Sequence, residues 1–342
     1  MCMRLRRLAG LGFLGLLLLA SVVTSLFFGA RTIPFAAVSD SLQAWLGGRG
    51  VPSGVDPIDA QVIRELRAPR TLLGIAVGLA LGAAGAIIQG LTRNPLADPG
   101  ILGISPGASL AVVLSFAVLG PQSIYATAGW AFVGAGLATL AIFTVAALGG
   151  GRINPLTLIL GGAALSAVLN SITGSMVLFS DAHLNVLRLW TVGSIAGRSM
   201  DFVTTAAPIL VLLAFAASAI GPTLNLLNLG DDAARALGAN PERSRAIGMV
   251  LIALLAGVAT SVAGPIGFAA LIVPHIARTI TGPDYRWIIP YSALCGAVLL
   301  LSADVVGRVI ARPGELEVGI VLAFVGAPFF IAIMARKKVS RL

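Results

Sequence analysis

Residues 246–277 read AIGMVLIALLAGVATSVAGPIGFAALIVPHIA, a run of 32 residues without Asp, Glu, Lys or Arg. A helix rises 1.5 Å per residue, so crossing a hydrocarbon core of about 30 Å takes about 20 residues. The run is too long for one upright helix and short for two. Gly264–Pro265 lies in its middle, where proline removes a backbone donor and disfavours helical geometry at the preceding residue. Whether the run holds one span or two decides the topology of the whole chain.

The rest of the chain is built in the same way. Of its 342 residues, 57% are hydrophobic and 11% charged, against roughly 25% charged in an average soluble domain. The mean hydropathy is +0.97. This composition excludes a soluble enzyme, a disordered chain and a disulfide-stapled secreted domain. Further uncharged stretches are 8–30, 71–92, 99–151, 153–180, 202–230, 287–303 and 318–335. The sequence therefore predicts an all-α, polytopic membrane protein.

Charge at the two ends settles the span count. Both ends are basic, and basic flanks prefer the cytoplasm; the residues are Arg4, Arg6, Arg7, Arg336, Lys337, Lys338 and Arg341. Both ends can be cytoplasmic only if the number of spans is even. Splitting the run at Gly264–Pro265 gives ten, with 14 of the 23 basic residues on the cytoplasmic side. A single membrane domain, 1–342, is predicted with spans at about 8–28, 71–91, 101–119, 125–148, 156–178, 202–221, 246–263, 266–281, 287–304 and 318–335.

Arginine is concentrated on the predicted outer side. RELRAPR (64–70) places three arginines in seven residues, and Arg308 and Arg312 follow the ninth span on the same side. One interpretation is that these side chains snorkel to the membrane interface. The other is a basic rim that docks an acidic soluble partner, since the planar guanidinium fork suits carboxylates. A cluster that opposes the positive-inside preference favours the docking rim.

The groups that catalysis or ion coupling would need are scarce. The span interiors carry few polar groups, namely Gln89, Asn170, His275 and Asp304. They form no evident relay for protons, and no metal-ligand cluster or nucleophile motif is found in the sequence. A P-loop needs a lysine after glycine, and neither lysine of this chain follows one. If ATP drives this protein, another polypeptide hydrolyses it. The scattered basic residues also argue against nucleic-acid binding.

The segment NLLNLGDDAARALGANPERSR (225–245) predicts a short cytoplasmic helix. Asp231 and Asp232 open it, where negative charge suits the helix macrodipole, and Gly238 ends it. Its apolar residues recur at helical spacing: Leu229, Ala233, Ala236 and Leu237. Such a helix rests on the membrane or docks into a partner's groove, and periodicity alone favours neither.

On the second span, the four-residue spacing of Gly74, Gly78 and Gly82 predicts close helix packing.

RNPLADPGILGISPGA (93–108) resembles the permease subunits of the iron-siderophore, haem and cobalamin family of bacterial ABC importers. Further signatures of that family follow in its order: RAPRTL (67–72), LGDDAARALG (229–238), GPIGFAALIVPHIAR (264–278), DVVGR (304–308) and GELEVGIVLAFVGAPFF (314–330). Together they cover about residues 60–335. One departure is Ala68, where the family usually has leucine.

The resemblance implies a type II importer permease fold with ten helices and both ends cytoplasmic. It also implies two permease subunits, identical or distinct, around one path, with two cytoplasmic ATPases and an extracytoplasmic binding protein. Arg67, Arg70 and Arg308 would then meet glutamates of the binding protein at the outer rim. The segment 225–242 would form coupling helices seated on the ATPase, through residues Gly230, Ala233, Ala234, Leu237 and Gly238.

The same resemblance places the transport path along the fifth and tenth spans. Its cytoplasmic gate would comprise Asn94, Pro95 and Leu96 with Asn154 and Pro155, positions that also suit ordinary helix-end turns. ATP and Mg²⁺ would be used by the partner ATPase, and this subunit would bind no cofactor or metal and have no catalytic residues.

The cargo is predicted from two stretches. NPLADPGILG (94–103) and GRVIARPGEL (307–316) look closest to ferric-catecholate permeases, which predicts import of a ferric siderophore across the cytoplasmic membrane. Cobalamin or haem is the alternative cargo. An ATP-independent secondary transporter is the alternative from another class.

Overall fold

The computed structural model describes residues 2–148 and 155–339, which are almost entirely helical and contain no strand. This confirms the all-α class. The α-helices of the described residues are α1 (Cys2–Phe27), α2 (Phe35–Leu46), α3 (Pro57–Gln61), α4 (Ala68–Thr92), α5 (Ile104–Leu119), α6 (Ile124–Leu148), α7 (Pro155–Leu178), α8 (Asp181–Thr191), α9 (Met200–Ala217), α10 (Gly221–Asn228), α11 (Asp231–Ala236), α12 (Pro241–Ala263), α13 (Ala269–Thr281), α14 (Tyr285–Ile310) and α15 (Val318–Val339).

Ten of these helices are apolar enough to lie in a membrane. Seven are long enough to cross it alone, and three shorter apolar helices lie at Ile104–Leu119, Ala269–Thr281 and Val318–Ala332. Each predicted span overlaps one of the ten. The uncharged run 246–277 is divided between α12 and α13. Helix α12 ends at Ala263 because the next residue, Gly264, has a φ of 72°, through which a helix cannot continue.

Helix α4 is the centre of the bundle. It packs against α9, α12, α13 and, most extensively, α14, and 22 of its 25 residues are buried. A Cβ on Gly78 would lie 2.5 Å from Ala297 Cα, and one on Gly82 would collide with the Ser292 carbonyl of α14. The glycine spacing therefore serves backbone contact between α4 and α14, which confirms the packing interpretation.

The ends of α4 define two ends of the molecule, separated by about 37 Å at 1.5 Å per residue. At the first, Arg67 binds the last turn of α1. At the second, Arg93 binds Asp231 of α11. We call these the arginine end and the α11 end. Helix α1 begins at the α11 end, where Arg7 contacts Thr281 and Asp284. Helix α15 begins at the arginine end and runs about 33 Å towards the other.

Two irregular segments interrupt the bundle between its ends. After α4 the chain turns at Arg93, which has a positive φ, forms a short 3-10 helix at Pro99–Leu102 and enters α5. The second break, 264–268, separates α12 from α13. Irregular backbone at membrane depth is tolerated only where it is buried in protein or lines a cavity. Both breaks meet this condition, since residues of each line the same internal cavity.

Candidate functional site

The arginine end contains an ion-pair cluster around Asp304. Arg70 donates from Nε to Asp304 Oδ1 at 2.9 Å and from Nη1 to Glu315 at 2.5 Å. Arg308, one turn after Asp304 on α14, approaches Asp304 Oδ2 at 2.9 Å. Asp304 is fully buried, so its charge depends on these two guanidinium groups.

The third arginine of the cluster, Arg67, binds backbone instead of carboxylate. Its guanidinium donates to the carbonyls of Leu26 and Phe27 at 2.8 Å and to that of Arg31 at 2.5 Å. Arg308 adds bonds to the carbonyl and hydroxyl of Ser25. These bonds satisfy the carbonyls at the end of α1, which have no partner within the helix. The cluster therefore ties α1, α4 and α14 together.

The three arginines predicted to dock a partner are buried within this chain. Arg67 is 4% exposed, Arg70 7% and Arg308 2%. Their donors face carboxylates and carbonyls of their own chain, and with Glu315 they line a cavity of about 150 Å³. The exposed arginines of this end include Arg31, which pairs with Asp56 and Asp59, and Arg312, which donates to the carbonyl of Gly29. Arg64 is half-buried beside them. Arg49 and Arg188 are exposed as well.

At the opposite end, α11 is anchored by one carboxylate. Asp231 accepts from Arg245 of α12 at 2.8 Å and from Arg93, just after α4, at 2.6 Å. The hydrogen bond from Arg245 lowers the pKa of Asp231, and the bond from Arg93 lowers it further. Asp231 therefore connects the start of α11 to the segment after α4 and to α12.

The predicted coupling residues divide between two faces of this segment. Leu237 is 60% exposed, and Leu229, which precedes the predicted coupling residues, is 64% exposed. Ala233 and Gly238 are exposed as well, and Gly238 has a φ of 84° where it follows the helix. Ala234, in contrast, is fully buried against the core. The exposed surface available to a partner thus excludes Ala234.

The predicted gate residues lie in the turn after α4. Asn94 Oδ1 accepts from the amide of Leu96 at 3.0 Å, and the Asn94 carbonyl accepts from Ala97. Asn94, Pro95 and Leu96 are all partly exposed. Asn154 lies outside the described residues, and Pro155 is the first residue of α7. The structure therefore shows one half of the predicted gate as an ordered turn.

Sequence reasoning missed two carboxylates. Glu315 belongs to a quoted signature, but its pairing with Arg70 requires residues 245 positions apart to meet. Asp98 also belongs to a quoted signature and was given no role, and the structure places it in the lining of a cavity. The proline on each side of the segment that carries Asp98, at 95 and 99, was the available signal that the chain there is neither helix nor ordinary surface loop.

Comparison with known proteins identifies the family of the chain. The family model described as the FecCD transport family matches residues 17–336. The chain belongs to the FecCD transport family. Two relatives align over nearly the full length of both chains. The ferric enterobactin transport system permease protein FepD of Escherichia coli (strain K12) is 41% identical over 94% of each chain. The hemin transport system permease protein HmuU of Yersinia pestis is 35% identical over 97% of this chain and 96% of its own.

A solved structure is also similar to this FecCD member. It is an inward-facing conformation of a metal-chelate type ABC transporter, with a TM-score of 0.81 and 27% sequence identity. The match covers 95% of this chain and 98% of that one.

Family membership confirms several predictions. The chain is a multi-pass membrane permease of an ABC importer, and it is not an enzyme, since the ATPase of such importers is a separate subunit. The resemblance to permeases of iron-chelate importers, stated from the sequence, is confirmed as well. The family implies that a permease partner, an ATPase and a binding protein complete the importer.

Proposed function

We propose that this chain is the permease subunit of an importer for a ferric siderophore of the catecholate type. The observation that carries the proposal is its 41% identity to the enterobactin permease FepD across 94% of both chains. A haem permease is 35% identical over a similar length, so haem is the cargo against which the proposal is tested, with cobalamin as a further family alternative.

We place the α11 end in the cytoplasm. Both chain ends belong to that end, because α1 starts there and α15 runs towards it. The basic residues of both termini then lie on the side that positive charge prefers. The arginine end faces outward, which is the orientation the sequence predicts.

The arginine end would receive the binding protein. In this proposal the exposed Arg312 and the half-buried Arg64 contact acidic groups of that partner, since neither has a carboxylate partner among the described contacts. Arg67, Arg70 and Arg308 contribute by fixing the surface: Arg67 holds the backbone at Arg31, and Arg70 holds Glu315 near Arg312. They are positioning residues, in place of the direct contacts first predicted.

The α11 end would receive the ATPase. Leu229 and Leu237 are exposed beside α11, whose first residue, Asp231, is held by ion pairs to Arg93 and Arg245. They present an apolar surface next to this anchored helix start. ATP-driven closure of the ATPases would move α11, and Asp231 would pass that movement to α4 and α12. The work comes from a difference in nucleotide affinity between the inward-facing and outward-facing states.

The path would lie between this subunit and a second permease, along α7 and α15. Both helices carry exposed apolar side chains in this chain, including Phe324 and Leu160, which is expected of surfaces that a second subunit covers. Asn94, Pro95, Leu96, Asn154 and Pro155 would close its cytoplasmic end.

Reconstitution tests the proposed function. Proteoliposomes that hold the permease with its co-purifying subunits are supplied with the binding protein, then with ferric catecholate, haem or cobalamin. We expect ATP-dependent uptake of the ferric catecholate. Preferred uptake of haem or cobalamin would overturn the cargo assignment. Uptake by vesicles that contain this chain alone, without ATPase, would instead support a secondary transporter.

A further inference from the structure

An internal cavity of about 130 Å³ lies between α4, α5, α12 and the two irregular segments. Three side chains contribute oxygen atoms to its lining: Asp98, Ser105 and Thr260. The other lining residues are apolar or glycine, and no Arg, Lys or His is among them. The cavity is large enough for several waters or a partly hydrated ion.

The cavity lies at the middle of the bundle. Leu81 lines it, and this residue is about 20 Å along α4 from Ala68 and about 16 Å from Thr92. The position of Thr260 on α12 indicates the same depth for the cavity. Gly248 of α12 packs against Leu91, and Thr260 is 12 residues, or about 18 Å, further from the α11 end.

Both breaks in the bundle open onto this cavity. Pro99 and Gly100 of the 3-10 turn line it, as do Pro265, Ile266 and Gly267 of the second break. Two helices therefore begin beside it, α5 with Ile104 in the lining and α13 with Ala270. Helices interrupted at mid-membrane depth are the usual construction of small-ligand sites in transporters.

The polar groups of the cavity have unused bonding capacity. Asp98 accepts a bond from the amide of Gly100 at 2.8 Å, which leaves most of the capacity of its carboxylate open. Thr260 is 4% exposed as a residue, and its hydroxyl, which makes no side-chain hydrogen bond among the described residues, is accessible from the cavity. A molecule or ion in the cavity can therefore bind to it.

The carboxylate also needs a counter-charge. An ionised side chain at mid-membrane depth is costly, and the lining residues provide no cationic side chain near Asp98. A cation bound to Asp98 would supply this counter-charge. Carboxylate and hydroxyl oxygens are ligands that hard cations prefer.

We propose that Asp98, Ser105 and Thr260 form a site for one monovalent cation, sodium or a proton, at mid-membrane depth. The bound cation neutralises Asp98 and holds the two broken segments, 93–103 and 264–268, against each other. The cavity is distinct from both proposed docking surfaces, since its lining residue Leu81 lies about 16 to 20 Å along α4 from either end of that helix. The proposal is therefore independent of the cargo.

Thermal unfolding of the purified permease with its co-purifying subunits tests the site. Sodium chloride is titrated against choline chloride at constant ionic strength, and the pH is varied at fixed sodium. A sodium site predicts a Tm that rises saturably with sodium, because a ligand that binds only the folded state stabilises it. A proton site predicts a Tm that is insensitive to sodium and falls as the pH rises.

Three variants decide whether Asp98 is responsible for the dependence of Tm on sodium or on pH. Asp98→Asn should abolish whichever dependence the wild type shows, and the exposed control Asp40→Asn, on α2, should retain it. If Asp98→Asn does not assemble, Thr260→Val provides the test, since it removes one ligand and keeps the size of the side chain. For a sodium site, we expect Thr260→Val to shift the half-saturating sodium concentration about fivefold. For a proton site, we expect it to shift the proton concentration at the midpoint of the pH dependence about fivefold. A Tm that depends on neither ion, or an unchanged response in both cavity variants, would overturn the proposal.

Discussion

Asp304 shows how a single buried carboxylate organises the arginine end. It is fully buried and lies between Arg70 and Arg308, while Glu315 binds the other side of Arg70. Removing one partner of a buried ion pair leaves an uncompensated charge, and this costs far more than the intact pair contributes. The cluster is therefore sensitive to substitution even though it is not exposed to a partner.

Arg70→Ala should destabilise the permease by about 3–5 kcal/mol, because it leaves Asp304 and Glu315 without their shared donor. The measurement is thermal unfolding of the purified protein, and the exposed Arg49→Ala is the matched control. Equal stability of the two variants would show that Asp304 is satisfied without Arg70.

Arg312→Glu combined with Arg64→Glu should weaken binding-protein docking and reduce its dependence on salt, because two attractive charges become repulsive. The exposed Arg286→Glu, at the α11 end, is the control. Binding-protein affinity measured over a range of salt concentrations checks this, and co-purification of the ATPase should be unchanged. Docking equal to that of the wild type would contradict the proposed contact.

At the level of elements, α4 depends on the absence of side chains. Gly78, Gly82 and Gly85 each face the backbone of a neighbouring helix at a distance that leaves no room for a Cβ. Because the neighbouring atoms at Gly82 and Gly85 are carbonyl groups, no rotamer change can make space. Helix separation is the only response available.

Gly82→Ala should therefore destabilise the bundle by about 1–3 kcal/mol or more, by forcing α4 away from α14. The control is Gly15→Ala on α1, where an added Cβ would meet no atom within 4 Å. Unfolding temperature and expression level are the measurements, and a neutral effect of Gly82→Ala would refute the backbone contact.

Helix α11 carries the proposed coupling to the ATPase. Leu237→Asp should release the ATPase, because it places a charge in an apolar docking surface. Leu46→Asp, on α2 at the arginine end, is the control for an exposed leucine, being 81% exposed. ATPase co-purification and ATP-dependent uptake check the outcome. Retention of the ATPase by Leu237→Asp would remove α11 from the interface.

At the scale of the whole molecule, the two ends are coupled through one long helix. The arginine cluster holds the start of α4, and Arg93 and Asp231 connect its end to α11. Helix α4 therefore connects the two ends, with two breaks in the bundle beside it. In the proposed function, this helix would link the binding-protein surface to the ATPase surface.

Labelling with a membrane-impermeant maleimide tests the orientation. In a Cys2→Ser background, Leu46→Cys should react in intact spheroplasts, whereas Asp232→Cys should react only after permeabilisation. Cys295 is buried, so it should contribute little in either case. Reaction of Asp232→Cys in intact cells would place the α11 end outside and reverse the proposed topology.

The sequence predicted much of this architecture from local signals. Uncharged runs of helical length and basic termini are enough to place the ten membrane helices, and Gly264–Pro265 marks the break between α12 and α13. Two surface helices were not anticipated. Helices α2 and α8 lie in loops whose apolar residues are too few for a span. Helix α2 buries Val38, Ser41 and Ala44, whereas no residue of α8 is buried within this chain.

The arginine-rich segment 64–70, the paired aspartates at 231 and 232 and the family signatures can be recognised in the sequence because each is local. Which arginines are exposed cannot be recognised in the sequence. Burial of Arg67, Arg70 and Arg308 depends on Asp304, Glu315 and the end of α1, which only tertiary packing brings to them. The depth of Asp98 likewise follows from a chain that turns back between helices. Span count and class follow from short-range hydropathy, whereas charge partners and solvent access are set by contacts between distant residues.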